Sequence, residues 1–134
     1  MYLLDTNICI FIMNKKPASV LKKLEQMITQ HHKIYLSSIS VAELQYGVYH
    51  SQSIERNRIA LVEFLAPFEI LDFNDMDAEV FGKIRADLKK QGKIIGPYDM
   101  LIAAQALSRT LILVTNNIDE FRRIQSLKIE DWTK

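Results

Sequence analysis

Asp5, Glu43 and Asp99 are the residues with which this chain could do chemistry, and each stands at or near the junction between two segments. Asp5 follows the short apolar run Tyr2–Leu4. Glu43 lies in the segment Val41–Gly47, just after the run Lys33–Leu36 and the serines at 37, 38 and 40. Asp99 opens the apolar, Ala-rich segment Tyr98–Ser108, ahead of the run Thr110–Val114, and Asn117 and Asp119 come directly after that run. Carboxylates gathered at one place repel one another and need a counter-charge. A hard divalent cation supplies it, and an oxygen-only set suits Mg²⁺ or Mn²⁺ with water completing the shell.

Other chemistries are poorly served. Cys9 is the single cysteine, and His31, His32 and His50 share no ligand-like spacing with it, which argues against zinc. No Gly-x-Ser-x-Gly elbow, P-loop or Gly-x-Gly-x-x-Gly motif is present. Each acid also has a plain structural use. Asp5 suits the cap of a following helix. Ser40-Val41-Ala42-Glu43 has the form of a capping box, and Asn117 with Glu120 resembles another. Pro97 and Asp99 suit the first and third positions of a helix, where a carboxylate favours the dipole. No acid is diagnostic alone; the placement of all of them near strand-to-helix junctions carries the reading.

The elements that must position these groups alternate in type. Tyr2–Leu4, Lys33–Leu36, Phe68–Phe73 and Thr110–Val114 read as strands, and Ile129 as the start of a last edge strand. Between them, Asn7–Met13, the segment after Pro17, Val41–Gly47, Ile54–Leu65, Asp75–Gln91, Tyr98–Ser108 and Asn117–Ile124 read as helices, with Gly92 as a C-terminal stop. That alternation predicts an α/β fold with a mainly parallel sheet covered on both faces. In such sheets ligands sit beyond the carboxyl ends of the strands. Asp5, Glu43 and Asn117 fall at that edge by chain order; Asp99 does so only if its helix starts there, which the sequence leaves open.

The 134 residues fit one domain, 1–134, and no Pro/Gly-rich linker or repeat marks a boundary. Apolar residues make up 49% of the chain, enough for a core without disulfide staples. The net charge of +1 neither requires nor excludes an acidic partner, so a nucleic-acid surface would need its cations on one face. A lone cysteine suits a reducing, cytoplasmic compartment. The residues Met1–Asp5 have no basic region and are not expected to begin a signal peptide, and no stretch is long and apolar enough to span a bilayer.

Taken in order, Leu3-Leu4-Asp5-Thr6-Asn7, Ser38-Ile39-Ser40-Val41-Ala42-Glu43-Leu44-Gln45-Tyr46-Gly47, Gly96-Pro97-Tyr98-Asp99-Met100-Leu101-Ile102-Ala103 and Val114-Thr115-Asn116-Asn117 with Glu120-Phe121 resemble the PIN-domain toxins of the VapC type. The ending Ile129-Glu130-Asp131-Trp132 is similar to that of the enterobacterial members. The resemblance spans nearly the whole chain. It implies a three-layer α/β/α sandwich and a Mg²⁺- or Mn²⁺-dependent endoribonuclease that hydrolyses a phosphodiester. Asp5, Glu43 and Asp99 match the family's metal-holding acids. Its fourth position, often Asp in Thr-x-Asp, falls on Asn117, which offers a neutral oxygen instead. Thr6, Asn7 and Thr115 match supporting positions. The resemblance further implies a homodimer, a small VapB-type antitoxin that covers the site, and initiator tRNA cut in the anticodon loop. Three basic runs (Lys15, Lys16, Lys22 and Lys23; Lys83, Arg85, Lys89, Lys90 and Lys93; Arg122 and Arg123) are candidate RNA contacts or simply solvated helix faces.

Two competing readings remain at this level. One is a PIN-like nuclease acting on other RNA or DNA in processing or repair. The other is a metal-free α/β interaction module whose acids serve only as helix caps.

Overall fold

The computed structural model describes residues 1–134. Five strands, β1 (Tyr2–Leu4), β2 (Ile34–Ser37), β3 (Glu69–Leu71), β4 (Ile112–Val114) and β5 (Ile129–Glu130), form one sheet in the order β3-β2-β1-β4-β5. Every neighbouring pair is parallel, so the sheet expected to be mainly parallel is wholly so. Leu3 stands opposite Tyr35 on one side and Leu113 on the other, at the centre of the sheet.

Successive residues of a strand point to opposite faces. Leu3, Tyr35 and Leu113 join one buried cluster with Ile84, Leu88, Ile102 and Phe121. Tyr2, Leu4, Leu36 and Val114 join a second, with Ile8, Val20, Leu44 and Leu61. The helices α5 (Asp75–Lys90), α6 (Pro97–Ser108) and α7 (Ile118–Phe121) therefore cover one face. The helices α1 (Thr6–Asn14), α2 (Ala18–Thr29), α3 (Ser38–Tyr49) and α4 (Ile54–Leu65) cover the other. The outcome is the expected three-layer α/β/α sandwich, whose central strands are apolar on both sides.

Several boundaries differ from expectation for local reasons. Thr110 does not begin β4, because its φ is 56°. It ends α6 instead: its N–H donates to Leu107 O at 3.3 Å and the Leu111 N–H to Ala106 O at 2.8 Å. Gly92, at φ 66°, closes α5 with the same bond pattern and is the stop the sequence predicts. Ser37, not Ser40, caps α3, its Oγ accepting the Ile39 N–H at 2.9 Å, so the expected Ser40–Glu43 capping box does not form. Asn117 makes no side-chain cap, so the Asn117–Glu120 box is absent too. A box the sequence reading did not anticipate closes the start of α5. Asn74 Oδ1 accepts the Asp77 N–H at 3.1 Å, and Asp77 Oδ2 the Asn74 N–H at 2.9 Å.

Candidate active site

The chain runs β1 to β2 to β3 toward one edge, then returns to place β4 on the other side of β1. Connections diverge between β1 and β4, the place beyond the carboxyl ends where ligands sit in open parallel sheets. Asp5 occupies that point. Its N–H donates to Val114 O at 3.0 Å, which ties it to the last residue of β4.

Asp5 is buried, at 3% exposure. It does cap α1, since Oδ1 accepts the Ile8 N–H at 2.9 Å, yet one cap bond leaves most of the carboxylate's acceptor capacity for other work. Burial pushes the Asp5 carboxyl up to about 6. The Thr115 hydroxyl and the Ile8 N–H oppose that rise, while Asp99 and Glu43 add to it. Thr115 is buried, and its Oγ1 also accepts the Asn117 N–H at 3.0 Å, fixing the turn after β4.

Glu43 lies one turn into α3, half-buried, with its carboxylate held from α1. Thr6 Oγ1 donates to Glu43 Oε1 at 2.7 Å and is paired with the buried Ser40 hydroxyl at 2.9 Å. Ser40 therefore positions Thr6 rather than capping a helix. Asp99 stands at the third position of α6, after Gly96 as N-cap and Pro97 as first residue. Its carboxyl is raised above the ordinary range by burial first, then by Glu120 and Glu43.

Asp5, Glu43 and Asp99 therefore share one electrostatic neighbourhood. The structure adds Glu120 to it, on the first turn of α7. The sequence reading placed Glu120 in the family-like motif but gave it no role beyond half of a capping box, because its offset from Asn117 imitates one. The missed signal was that Glu120, like Asp5, follows a central strand. Asn117 is the backbone N-cap of α7, and no side-chain hydrogen bond engages it. Asn7 is exposed beside Thr6 and Glu43, in an open groove of about 430 Å³ between α1, α3 and α4.

No cationic side chain is among the influences on Asp5 or Asp99, so the negative charge of the cluster is uncompensated. An all-carboxylate set of this kind fits a hard divalent cation. No three acidic, His or Cys side chains stand close enough to enclose an ion by themselves. That openness suits an ion such as Mg²⁺, which keeps several waters and takes only one or two carboxylates. Separately, α7 and the loop after α5 bring Lys93, Arg122 and Arg123 to one polar cavity of about 430 Å³, with Asp119, the neighbour of Glu120 in the chain, at its wall. Members of two separate basic runs thus meet at the end of the sheet where Glu120 lies.

A wholly parallel α/β/α sandwich with acids converging beyond β1 and β4 is the arrangement of a PIN domain, and the PIN domain family matches residues 2–127. The ribonuclease VapC2 of Rickettsia felis is 45% identical over 133 residues, covering 99% of this chain and 98% of that protein. The tRNA(fMet)-specific endonuclease VapC of Shigella flexneri is 44% identical over 132 residues, covering 98% of each. The crystal structure of VapBC2 from Rickettsia felis, bound to a DNA fragment from their promoter, includes a chain that superposes with a TM-score of 0.92. That match has 44% identity and covers 98% of both chains. The chain belongs to the VapC family of PIN domains.

Proposed function

We propose that the chain is an endoribonuclease, the toxin of a toxin–antitoxin pair, which cuts initiator tRNA in the anticodon loop. Mg²⁺ or Mn²⁺ would be held by Asp5, Glu43 and Asp99, in part through bound water, with Glu120 beside them. The carrying observation is the uncompensated acid cluster at the divergence of β1 and β4, where a buried Asp5 is pushed to about 6. The activity named for the Rickettsia and Shigella relatives supports the RNA substrate, and the VapBC complex supports an antitoxin partner. A homodimer and a cytoplasmic location belong to the same reading. No helix is long and apolar enough to cross a membrane.

When bound, the cation supplies Lewis-acid stabilisation of negative charge on the phosphate and acidification of water. The protein's own groups do the rest. The Ile8 N–H and Thr115 fix Asp5. Thr6 fixes Glu43 from a different helix. Lys93, Arg122 and Arg123, gathered around one polar cavity past α7, offer a phosphate-binding wall for more distant parts of the RNA. An antitoxin can silence the site by placing an Arg among the carboxylates, where a guanidinium pairs bidentately and takes the cation's electrostatic place.

The test is expression of the chain alone, followed by cleavage assays on purified initiator tRNA, mRNA and single-stranded DNA with and without Mg²⁺. Growth arrest and Mg²⁺-dependent cutting of the tRNA loop are expected, and Asp5→Asn and Asp99→Asn should abolish both. Near-wild-type cleavage by both variants would overturn the acid cluster as the site. Preferential cutting of DNA would move the protein to processing or repair.

A further inference from the structure

Two of the most exposed large apolar side chains of the protein flank the acid cluster. Tyr46 is 68% exposed and Tyr98 is 58% exposed. Tyr46 lies three residues beyond Glu43 on α3, almost one turn, and Tyr98 immediately precedes Asp99 on α6. Both line one open cavity of about 490 Å³, whose other walls are Ile39, Ala42 and Glu43. Exposed aromatic side chains in a concave setting mark a place where something binds.

The lining defines the chemistry of the occupant. The cavity presents aromatic and aliphatic surface and no cationic group, so it suits a flat, neutral ring rather than a phosphate. Its one charged member, Glu43, belongs to the acid cluster, so a ligand seated here lies beside the reacting phosphodiester. The Tyr46 ring already stacks on His50, with centroids 5.3 Å apart and planes inclined by 12°. That contact covers one face and steadies the ring, leaving the other free.

We infer that Tyr46 and Tyr98 form a stacking platform for an unpaired nucleobase next to the scissile phosphate. The inference rests on the endoribonuclease reading and adds the source of its strand selectivity. Aromatic stacking tolerates any base but requires that the base be unstacked from its neighbours. Paired bases of an A-form helix cannot enter, whereas a loop delivers splayed bases. The occupant is therefore a nucleotide of single-stranded RNA.

The experiment measures binding of the full chain, in EDTA to withhold metal, to a labelled RNA hairpin loop and to a blunt RNA duplex of equal length. Stacking of one base corresponds to about 5- to 150-fold in affinity. Tyr46→Ala and Tyr98→Ala should each weaken loop binding within that range and leave duplex binding unchanged. Phe at either position should restore the loop affinity, since the ring and not the hydroxyl is used. In Mg²⁺ the Ala variants should raise KM far more than they lower kcat.

Wild-type loop affinity in both Ala variants, equal losses on loop and duplex, or Phe variants as weak as Ala would overturn the platform. So would failure of the wild-type chain to bind the loop. Loss of self-association in sedimentation with loop binding intact would assign the surface to a second copy of the chain and also overturn it. A wild-type chain that binds the loop with this tyrosine dependence yet cleaves no RNA in Mg²⁺ would sink the nuclease reading while leaving the platform standing.

Discussion

The hydroxyl of Thr6, the first residue of α1, donates to Oε1 of Glu43, on α3, at 2.7 Å. Two helices on the same face of the sheet thus meet through one charge-assisted bond at the acid cluster. Thr6→Val keeps the shape and removes the donor. Groups that hold a metal-site ligand in place are worth about 10–100-fold in activity. Thr6→Val should lose that much cleavage while melting close to wild type, and Thr6→Ser should recover most of it. Full activity in Thr6→Val would show that Glu43 needs no such support.

Glu120 and Asn117 are the two candidates for the fourth place in the cluster, and Glu120 is the one whose charge acts on Asp99. Glu120→Gln should lower cleavage by about 10–100-fold, as loss of a supporting carboxylate does. Asn117→Ala should cost less, because Asn117 contributes its backbone to the α7 cap and no side-chain bond. A larger loss in Asn117→Ala than in Glu120→Gln would return the fourth place to Asn117.

The sequence makes the long periodic helices legible. Ile54–Leu65 coincides with its predicted limits, and Asp75–Lys90 is shorter than predicted by one residue, because apolar spacing sets helix boundaries over several turns. The strands are legible in place but not in length. Only three or four residues pair in β1 to β4, and Thr110 leaves its strand by adopting a left-handed backbone to end α6. Asp5, Glu43 and Asp99 could be read from their positions after central strands and at a helix start. Ser40 and Glu120 could not be placed, since spacing of three looks like a capping box whether or not the box forms. Which of two short-range partners a side chain takes is decided by tertiary placement, such as that of α1 against α3, and sequence spacing carries no information on that.

A partly exposed ion pair away from the acids holds another part of the fold. Asp77 is wholly buried, and its Oδ2 accepts from Arg109 Nη2 at 2.9 Å, while Nη2 also donates to Asp72 O at 2.6 Å. Burial alone would raise the Asp77 carboxyl. The Arg109 guanidinium, the Asn74 N–H and the Ser108 hydroxyl outweigh it and leave the group lowered. Removing one partner of a fully buried pair costs about 3–5 kcal/mol; Arg109 is part-exposed and Asp77 keeps the Asn74 N–H, so the loss here should be smaller, on the order of 1–3 kcal/mol. Arg109→Met should unfold at correspondingly lower denaturant at pH 7. A group whose folded pKa is depressed stabilises above its unfolded value and loses that contribution as pH falls. The gap between variant and wild type should therefore narrow on acidification below about pH 4. A gap independent of pH would mean that Arg109 acts through packing alone.

Asp5 behaves in the opposite sense. Its folded pKa of about 6 lies above the ordinary 3.8, so the metal-free protein binds a proton the unfolded chain has lost. The stabilisation is complete below about pH 4 and disappears as pH rises through about 6. At about 1.36 kcal/mol per pKa unit, the contribution is on the order of 2–3 kcal/mol. Asp5→Asn, neutral at every pH, should flatten the stability profile in EDTA between pH 4 and 6 while removing cleavage. An unchanged profile would place the titration on another group.

Asp99 separates a metal-site role from a capping role most cleanly. It occupies the third position of α6, where a carboxylate ordinarily gains a few tenths to about 1 kcal/mol from the helix dipole. Against that gain stand burial, Glu120 and Glu43, which together raise its carboxyl above the ordinary range. Burial and two carboxylates all act against the ionised form, and the expectation is that together they exceed the dipole in the metal-free protein. At neutral pH the ionised form is therefore the strained one, and Asp99→Asn relieves it. The variant should melt at the same or a higher temperature than wild type in EDTA, as substitutions that remove function-linked strain do. Mg²⁺ should raise the wild-type melting temperature by mass action and the variant's by much less. The capping role demands the reverse: a loss of stability in Asp99→Asn that is equal with and without metal. Melting curves of both proteins in EDTA and in Mg²⁺ decide the matter. Destabilisation of Asp99→Asn in EDTA, with no response of wild type to Mg²⁺, would reduce the acids to caps and remove the metal from the mechanism.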